Sequence, residues 1–433
     1  MIERSFIGLT KPRFEYEAIG SALPETETIS PPKKATLLFK TPFSAENGLL
    51  LKTGDTVKTG QRLKLYEDSE VCAVSPVTGA VSSIEGYTGN FDQVYTALTI
   101  DADENESIDE TFKDVAAGKM EIATVRSYLE TLPGSPCLSC FDDPERPIKT
   151  IVVTGVDQDL LLATRQYALK TEVNAITNGV SILKKMTGVD NVVIALPADL
   201  IKDAGAIGGA SGVELRVIDP EYPAALPHFI ARNVTGKAVP AGKSWEDLGL
   251  AFMSAEAVAS VGSAVSSGKL PVEKVLTVIK KDVTKVMVKA RIGTPICDIL
   301  NVCGITVNEN DRVIAGGPMT GDAVFSTDFP VLPDMDGIIV QDSADVALYS
   351  DYPCINCGDC VRICPTKVPV NMLVRFCEAR DFETAANEYD LYSCVECGLC
   401  TFVCVSKMPI FQHIRLAKYE LAQEQEAETA SEA

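Results

Sequence analysis

Short apolar runs broken by turn residues dominate the first hundred positions. ATLLF (35–39), LLLKTGD (49–55), AVSSIE (80–85) and ALTI (97–100) read as short strands. Gly54-Asp55-Thr56-Val57, Gly60-Gln61 and Ser75-Pro76-Val77-Thr78-Gly79 punctuate them as tight turns. A charge-dense stretch, Asp101 to Glu110, reads as a solvated connection. The pattern then changes. TIVVTG (150–155), NVVIALP (191–197) and VELRVID (213–219) are nearly continuous apolar runs, with helical stretches between them, the first over about Asp159 to Ala168. Buried strands alternating with helices predict a parallel sheet, whose ligands sit at the carboxyl ends of the strands. Gly205-Ala-Ile-Gly208-Gly209-Ala-Ser-Gly212 precedes a strand rather than opening a helix, and is read as a loop. Positions 285–340 return to β character, with turns at Gly293-Thr294-Pro295 and over Val313 to Gly321. Beyond 350 the segment Val368 to Ser393 is helical in pattern, and the tail from Glu424 to Ala433 is expected to be frayed or disordered.

The chain has 433 residues and 46% hydrophobic content, enough for two to four domains of ~100–200 residues. Its formal net charge of −21 argues against a nucleic-acid partner, whose affinity rests on cationic side chains neutralising phosphates. The same acidity suits docking partners with basic patches, or supplies solubility alone. The N-terminal MIERSFIGLTKPRFEYE has no apolar signal region. No run approaches the ~18 uncharged apolar residues of a membrane span. The nearest, Leu248 to Val265, contains Glu256 and many small residues and is read as a buried helix.

Cysteine usage alters this picture most. Nine of the 14 cysteines lie between Cys354 and Cys404, and eight of these form two runs of equal spacing. These are Cys354-Ile-Asn-Cys357-Gly-Asp-Cys360-Val-Arg-Ile-Cys364-Pro365 and Cys394-Val-Glu-Cys397-Gly-Leu-Cys400-Thr-Phe-Val-Cys404. Such repeated short spacing indicates metal ligation in a reducing compartment rather than disulfides. Three thiolates on one short loop can reach three iron corners of a cubane. Gly358 and Gly398 allow the tight turn and bring backbone N–H groups near sulfide. In two-cluster ferredoxins of this spacing the fourth cysteine of each run serves the other cluster. Cys354, Cys357, Cys360 and Cys404 are therefore assigned to one 4Fe–4S cluster, and Cys394, Cys397, Cys400 and Cys364 to a second. The competing reading, a pair of zinc sites, does not need the fourth spacing. The helical spacer points to the helical type of two-cluster domain.

The remaining cysteines are less informative. Cys377 lies in the helical spacer, and Cys72, Cys297 and Cys303 in apolar stretches, and all four are read as core. Cys137 and Cys140 form a C-x-x-C in GSPCLSCFDDPERP. They are a redox dithiol, half of a metal site shared with a partner chain, or two unrelated loop cysteines. The two histidines, His228 and His413, are read as structural or surface residues.

Taken together, the chain resembles the C subunit of the Rnf electron-transport complex, a membrane-associated ferredoxin:NAD oxidoreductase. Related proteins are the A subunit of sodium-pumping NADH:quinone reductase and the cobalamin reductase of propanediol utilisation. The resemblance is carried by Gly54-Asp55 with Gly60-Gln61, Tyr222-Pro223, the GKAVP segment ending at Pro240, Gly293-Thr294-Pro295, Gly316-Gly317-Pro318-Met319 with Gly321, and the two cysteine runs. It implies an α/β multidomain fold in four parts. These are a barrel-sandwich β module (30–105), an α/β core with a parallel sheet (130–280), a β-grasp, soluble-ligand-binding module (285–340) and a helical ferredoxin domain with two 4Fe–4S clusters (345–420). Barrel-sandwich modules that carry lipoyl or biotinyl groups need a lysine at a hairpin tip; no such lysine is evident, so this one is read as structural.

The departures from the family bear on function. NADH-oxidising members carry a glycine-rich flavin loop, GxGGAGFPT, before the first core strand. Here Leu132-Pro-Gly-Ser-Pro-Cys-Leu-Ser-Cys140 stands in its place, with one glycine. Bare N–H groups cradle a flavin phosphate; prolines remove donors and side chains block approach. The family's acidic NGAECEPY segment reads Thr154-Gly155-Val156-Asp157-Gln158-Asp159-Leu160, where Asp157 keeps one acid, and the N-terminal GGxHP segment is missing. FMN and NADH are therefore doubtful cofactors. The expected function is an electron-transfer iron–sulfur subunit passing single electrons between redox protein partners, the subunits of a membrane-associated complex. The alternative is an FMN-dependent NADH dehydrogenase subunit feeding the two clusters. The expected location is cytoplasmic, peripheral to the inner membrane through partner subunits.

Overall fold

The structure is a computed structural model. It describes residues 12–20, 24–44, 48–67, 69–118, 120–209, 211–350 and 352–432, and the two-residue strands Arg4–Ser5 and Gly8–Leu9. Seven of the seventeen residues of the N-terminal segment read above for signal character lie outside these residues.

The chain is a mixed α/β protein with parallel and antiparallel sheets. Strand β1 (Thr26–Thr28) leaves the N-terminal region to join a distant sheet described below. The next strands are β2 (Lys34–Phe39), β3 (Thr56–Val57), β4 (Arg62–Lys64), β5 (Cys72–Val74), β6 (Gly79–Thr88) and β7 (Val94–Ala102). They form a four-stranded sheet, β2-β7-β6-β3, and a two-stranded one, β4-β5. Alternation places Ala35, Leu37 and Phe39 of β2 in a small core with Leu63, Leu65, Val81, Leu98 and Ile100. Of the four runs read as strands here, LLLKTGD is instead the turn leading into β3.

The segment read as a solvated connection is anchored. Its first two residues complete β7, and Ser107 and Asp109 bond to Thr59 through the backbone. Glu106 accepts from Thr59 Oγ1 and pairs with Arg291 at 2.7 Å. Glu106 thereby links Thr59 to the strand that carries Arg291, which composition alone does not reveal.

The central sheet is fully parallel, in the order β10 (Val213–Val217), β9 (Asn191–Leu196), β8 (Thr150–Thr154), β11 (Leu250–Ser254). Successive side chains of β8 face opposite layers. Ile151 and Val153 enter one core with helices α2 (Val173–Thr187) and α4 (Ala255–Ser267). These two helices touch backbone to backbone: a Cβ on Gly179 would lie 2.0 Å from the Val258 carbonyl, and one on Gly262 2.0 Å from that of Ala175. Val152, on the other face, packs with Ile230 of α3 (Pro227–Thr235), with Tyr16 and Tyr222, and with Ile363, Cys397 and Leu399 from the cysteine-rich region. The cysteine-rich region thus covers one face of the central sheet.

Local differences from the sequence reading have simple causes. The helix after β8, α1 (Thr164–Thr171), starts later than the apolar pattern suggests, because buried Asp157 accepts from the N–H groups of Arg165 and Gln166 and fixes the start there. The stretch from 248 to 265 is half strand and half helix. Gly205–Gly208 forms a short helix where a loop is expected.

A six-stranded mixed sheet follows. It holds β12 (Glu273–Ile279), β13 (Lys285–Arg291), β14 (Arg312–Ala315), β15 (Asp322–Val324) and β16 (Gly337–Gln341), in the order β15-β14-β16-β12-β13-β1. The C-terminal region is helical: α5 (Asp359–Ile363), α6 (Val370–Glu378), α7 (Phe382–Glu388), α8 (Leu399–Val403) and α9 (Ile410–Glu432). The tail expected to fray continues α9, in keeping with the high helix propensity of Ala, Glu and Gln.

Candidate functional site: two cysteine loops beside a large cavity

The two cysteine runs fold alike. Asn356 and Glu396, at matching places, have φ of 56°. Gly358 and Gly398 follow at 75° and 73°, and Lys367 and Lys407 at 64° and 50°. Each loop opens a one-turn helix, α5 or α8, and then a longer one, α6 or α9, entered after Pro369 or Pro409. Even the tight turns ahead of these longer helices match: Val370 N–H to Val368 O and Ile410 N–H to Met408 O are both 2.8 Å. α5 packs on α8 and α6 on α9, so the loops form a pseudo-twofold pair. The similarity extends past the cysteines to CPTKVPV (364–370) and CVSKMPI (404–410), so Val405 in place of Pro365 leaves the local backbone unchanged.

Each fourth cysteine lies near thiols of the opposite loop. Burial raises the Cys360 thiol to about 11, and the other thiols that push it up are Cys357, Cys354 and, from the opposite loop, Cys404. Burial likewise raises Cys397 to about 12, with Cys394 and Cys364 adding to it. Cys394 is raised by burial first, and Cys364 is again among its neighbours. Cys400 is raised by burial, then by Cys394, Cys397 and Cys360. Thiols gathered in this way resist ionisation together, and iron relieves that repulsion, because the thiolate is the form that binds metal. The Asn356 N–H also points at Cys354 Sγ, at 3.4 Å. The donor set therefore fits a cubane. Among the described residues no three Cys, His, Asp or Glu side chains are gathered as for a single ion.

The surroundings of the two loops differ. The second is gripped by the rest of the chain. Tyr222 donates its hydroxyl to the Cys397 carbonyl at 2.8 Å, and Lys418 reaches the Cys394 carbonyl and Glu396. A Cβ on Gly398 would lie 2.5 Å from the Met319 carbonyl. Met319 belongs to the Gly316–Gly321 turn, which Asp159 holds by accepting from Met319 N–H, Thr320 N–H and Thr320 Oγ1. Burial raises the Asp159 carboxyl, and those donors offset it. Around the first loop, by contrast, Tyr352 and Ile355 are 77% and 65% exposed, and Val405 is also exposed.

Beyond Asp159 lies a cavity of about 940 Å³, past the carboxyl end of β8. It is lined by Gln158, Asp159, Arg165, the glycine turn, Tyr87, Tyr95 and Arg415. Ser135 and Ser139, from the loop that replaces the flavin loop, also line it. That loop has little left to offer an anion. Leu138 and Ser139 N–H both donate to Glu130 Oε1, at 3.0 and 2.6 Å. Gly134 N–H donates to Pro333 O and Ser135 N–H to Leu132 O. Pro133 and Pro136 have none. The Glu130 carboxylate takes donors that a phosphate would need.

Of the other cysteines, Cys303 and Cys377 are buried as expected. Cys72 is not fully buried and lines the cavity, and Cys297 is also partly exposed beside Asp298 and Asp328. His228 packs edge-on to Trp245. No helix among the described residues is long and apolar enough to cross a membrane.

Comparison with known proteins agrees with the resemblance read above. No family model matches the chain. The C subunit of the Na(+)-translocating ferredoxin:NAD(+) oxidoreductase complex of Acetobacterium woodii is 27% identical over 348 residues, 75% of this chain and 76% of that protein. The C subunit of the ion-translocating oxidoreductase complex of Yersinia enterocolitica is 26% identical, covering 93% of this chain and 60% of its own length. That of Haemophilus influenzae is 25% identical, covering 82% and 45%. The chain thus spans about three quarters of the first and about half of the other two. Two structures of NAD+-reducing [NiFe]-hydrogenase, air-oxidised and H2-reduced, are each 13% identical, with TM-scores of 0.38 and 0.41. They cover 55% and 62% of this chain and 44% and 52% of theirs, and at such scores nothing follows from them. Over most of its length the chain is similar to the C subunits of Rnf-type ion-translocating oxidoreductase complexes.

Proposed function

We propose that this chain is the electron-transfer subunit of an Rnf-like redox complex and relays single electrons through two 4Fe–4S clusters between protein partners. Cys354, Cys357, Cys360 and Cys404 would hold one cluster, and Cys394, Cys397, Cys400 and Cys364 the other. Bound there, such clusters take up and give up electrons one at a time. The observation that carries this reading is the pseudo-twofold pair of loops, with left-handed residues at matching positions and each fourth cysteine near thiols of the opposite loop. A zinc or purely structural role gives no reason for that placement. The chain's own contribution is positional: Tyr222 and the Asp159-held turn fix the second loop, and the apolar layer around Cys397 keeps water from it. The fold is read in the four parts 30–105, 130–280, 285–340 and 345–420, as barrel-sandwich, α/β core, β-grasp and helical ferredoxin units. The partners are the other subunits of the complex, which would place the chain at the cytoplasmic face of the membrane without a span of its own.

A second reading, an FMN-dependent NADH dehydrogenase subunit, draws support from the cavity of about 940 Å³ beside the second loop. The residues at the place of the flavin loop do not fit the cofactor, because their N–H groups are already bonded to Glu130, Pro333 and Leu132. Anaerobic purification tests both. Two clusters give iron near eight per chain, with no stoichiometric FMN and no bleaching by NADH. Iron near four, or zinc in its place, would overturn the relay. Stoichiometric FMN with NADH-dependent bleaching would establish the second reading instead.

A further inference from the structure

We propose that Cys137 and Cys140 form a reversible two-electron dithiol couple that exchanges with the disulfide of a small molecule or of a partner protein. The pair sits on a rigid frame. Gly134, three positions before Cys137, is pinned through its N–H to Pro333 and packs on the start of α4, where a Cβ would lie 2.4 Å from the Ala257 nitrogen. Leu138, between the cysteines, is fully buried, and Glu130 holds its N–H and that of Ser139. A short 3-10 turn, Ser139–Phe141, carries the second cysteine back towards the first. Cys140 Sγ reaches the Cys137 carbonyl at 3.4 Å. Both cysteines are only partly buried, and their neighbours Ser135 and Ser139 line the large cavity.

The two thiols are unequal. Donation from Cys140, from its backbone N–H and from Ser139 lowers Cys137 to about 6, against the opposing effect of burial. Cys140, the donor, is raised far above its ordinary value, with Glu246 adding to the rise. One cysteine is thus set to attack and the other to resolve.

The exchange balances as follows. The Cys137 thiolate attacks one sulfur of the incoming disulfide; that S–S bond breaks, and the other sulfur leaves as a thiolate. The Cys140 thiol then gives up its proton and attacks Cys137 Sγ in the mixed disulfide, expelling the second sulfur. The pair loses two electrons and two protons to its own disulfide, and the incoming disulfide becomes two thiols.

The test uses the full-length, cluster-loaded protein under anaerobic conditions, with iron content followed throughout. Glutathione disulfide and oxidised thioredoxin are offered separately, and cysteines are mapped by differential alkylation and mass spectrometry. The expected result is a Cys137–Cys140 disulfide, reversed by dithiothreitol, with iron retained. Reaction with glutathione disulfide assigns a small-molecule partner, and reaction with thioredoxin alone a protein one. In Cys140→Ser, Cys137 traps the mixed disulfide; in Cys137→Ser, Cys140 reacts about tenfold more slowly or less. No internal disulfide with either reagent, or equal trapping at both cysteines, would overturn the proposal.

Discussion

The hydroxyl of Tyr222 and the carbonyl of Cys397, 175 positions apart, meet at 2.8 Å in a buried layer. This bond ties the second cysteine loop to the central sheet. Removing the hydroxyl leaves a buried carbonyl without its donor, a loss of about 1–3 kcal/mol. Tyr222→Phe is expected to lower the unfolding free energy of the anaerobic protein by that amount, read as a lower urea midpoint with the slope unchanged. An unmoved midpoint would mean that the carbonyl finds another partner.

The proposed exchange of fourth cysteines makes a sharper prediction. Cys404→Ser should leave the same residual electron paramagnetic resonance spectrum as Cys357→Ala, and Cys364→Ser the same as Cys397→Ala. If Cys404→Ser matches Cys397→Ala instead, each loop ligates its own cluster and the proposed exchange is wrong.

Gly358 and Gly398 share a left-handed backbone but not their surroundings. An added Cβ at Gly358 meets only the mobile end of Arg362, at 3.2 Å, whereas at Gly398 it meets the Met319 carbonyl at 2.5 Å. Gly358→Ala should cost about 1–2 kcal/mol for its φ alone. Gly398→Ala adds a backbone clash and should unfold at clearly lower denaturant. Equal losses would show that the Met319 turn yields freely.

Glu256 and Lys274 form a buried ion pair, 3.1 Å apart. Burial raises Glu256 to about 7, against the pull of Lys274. The folded state therefore holds this proton at a pH where the unfolded chain, near 4.5, has released it. The associated stability is fully present below about 4.5 and is lost as pH rises towards 7. Asp157, raised by burial to about 6, slopes the same way. Glu256→Gln cannot ionise, so the wild type should lose stability relative to it between about pH 5 and 7.5. A pH-independent difference measured by denaturation would refute the assignment.

Three of the four central strands and the two cysteine runs were legible in the sequence because each signal is local, whereas the fourth strand, Leu250–Ser254, was read as part of a helix. Ile151, Val152 and Val153 are apolar whichever layer they enter, and the spacing of Cys354 to Cys364 is complete within one loop. What remained hidden depends on residues far apart. Glu106 looks solvated until Arg291, 185 positions on, is seen beside it. Asp159 reads as a remnant of an acidic motif, yet it holds the turn at Met319 and Thr320, 160 positions away. The flavin-loop replacement was legible as a loss of glycine. That its N–H groups are satisfied by Glu130 was not, because a carboxylate eight residues upstream carries no pattern.

The two cysteine loops are near copies in backbone but not in setting. One lies beneath exposed Tyr352 and Ile355; the other is packed against Tyr16, Tyr222 and the central sheet. An added electron is an added negative charge, and a dry environment disfavours it more than a wet one. In the proposed assignment, a duplicated sequence therefore gives two unequal stations. With clusters bound there, the buried one would be the stronger reductant and the outward-facing one would hold a single electron, so the asymmetry of packing would give the pair a polarity pointing from the protein's interior to its surface.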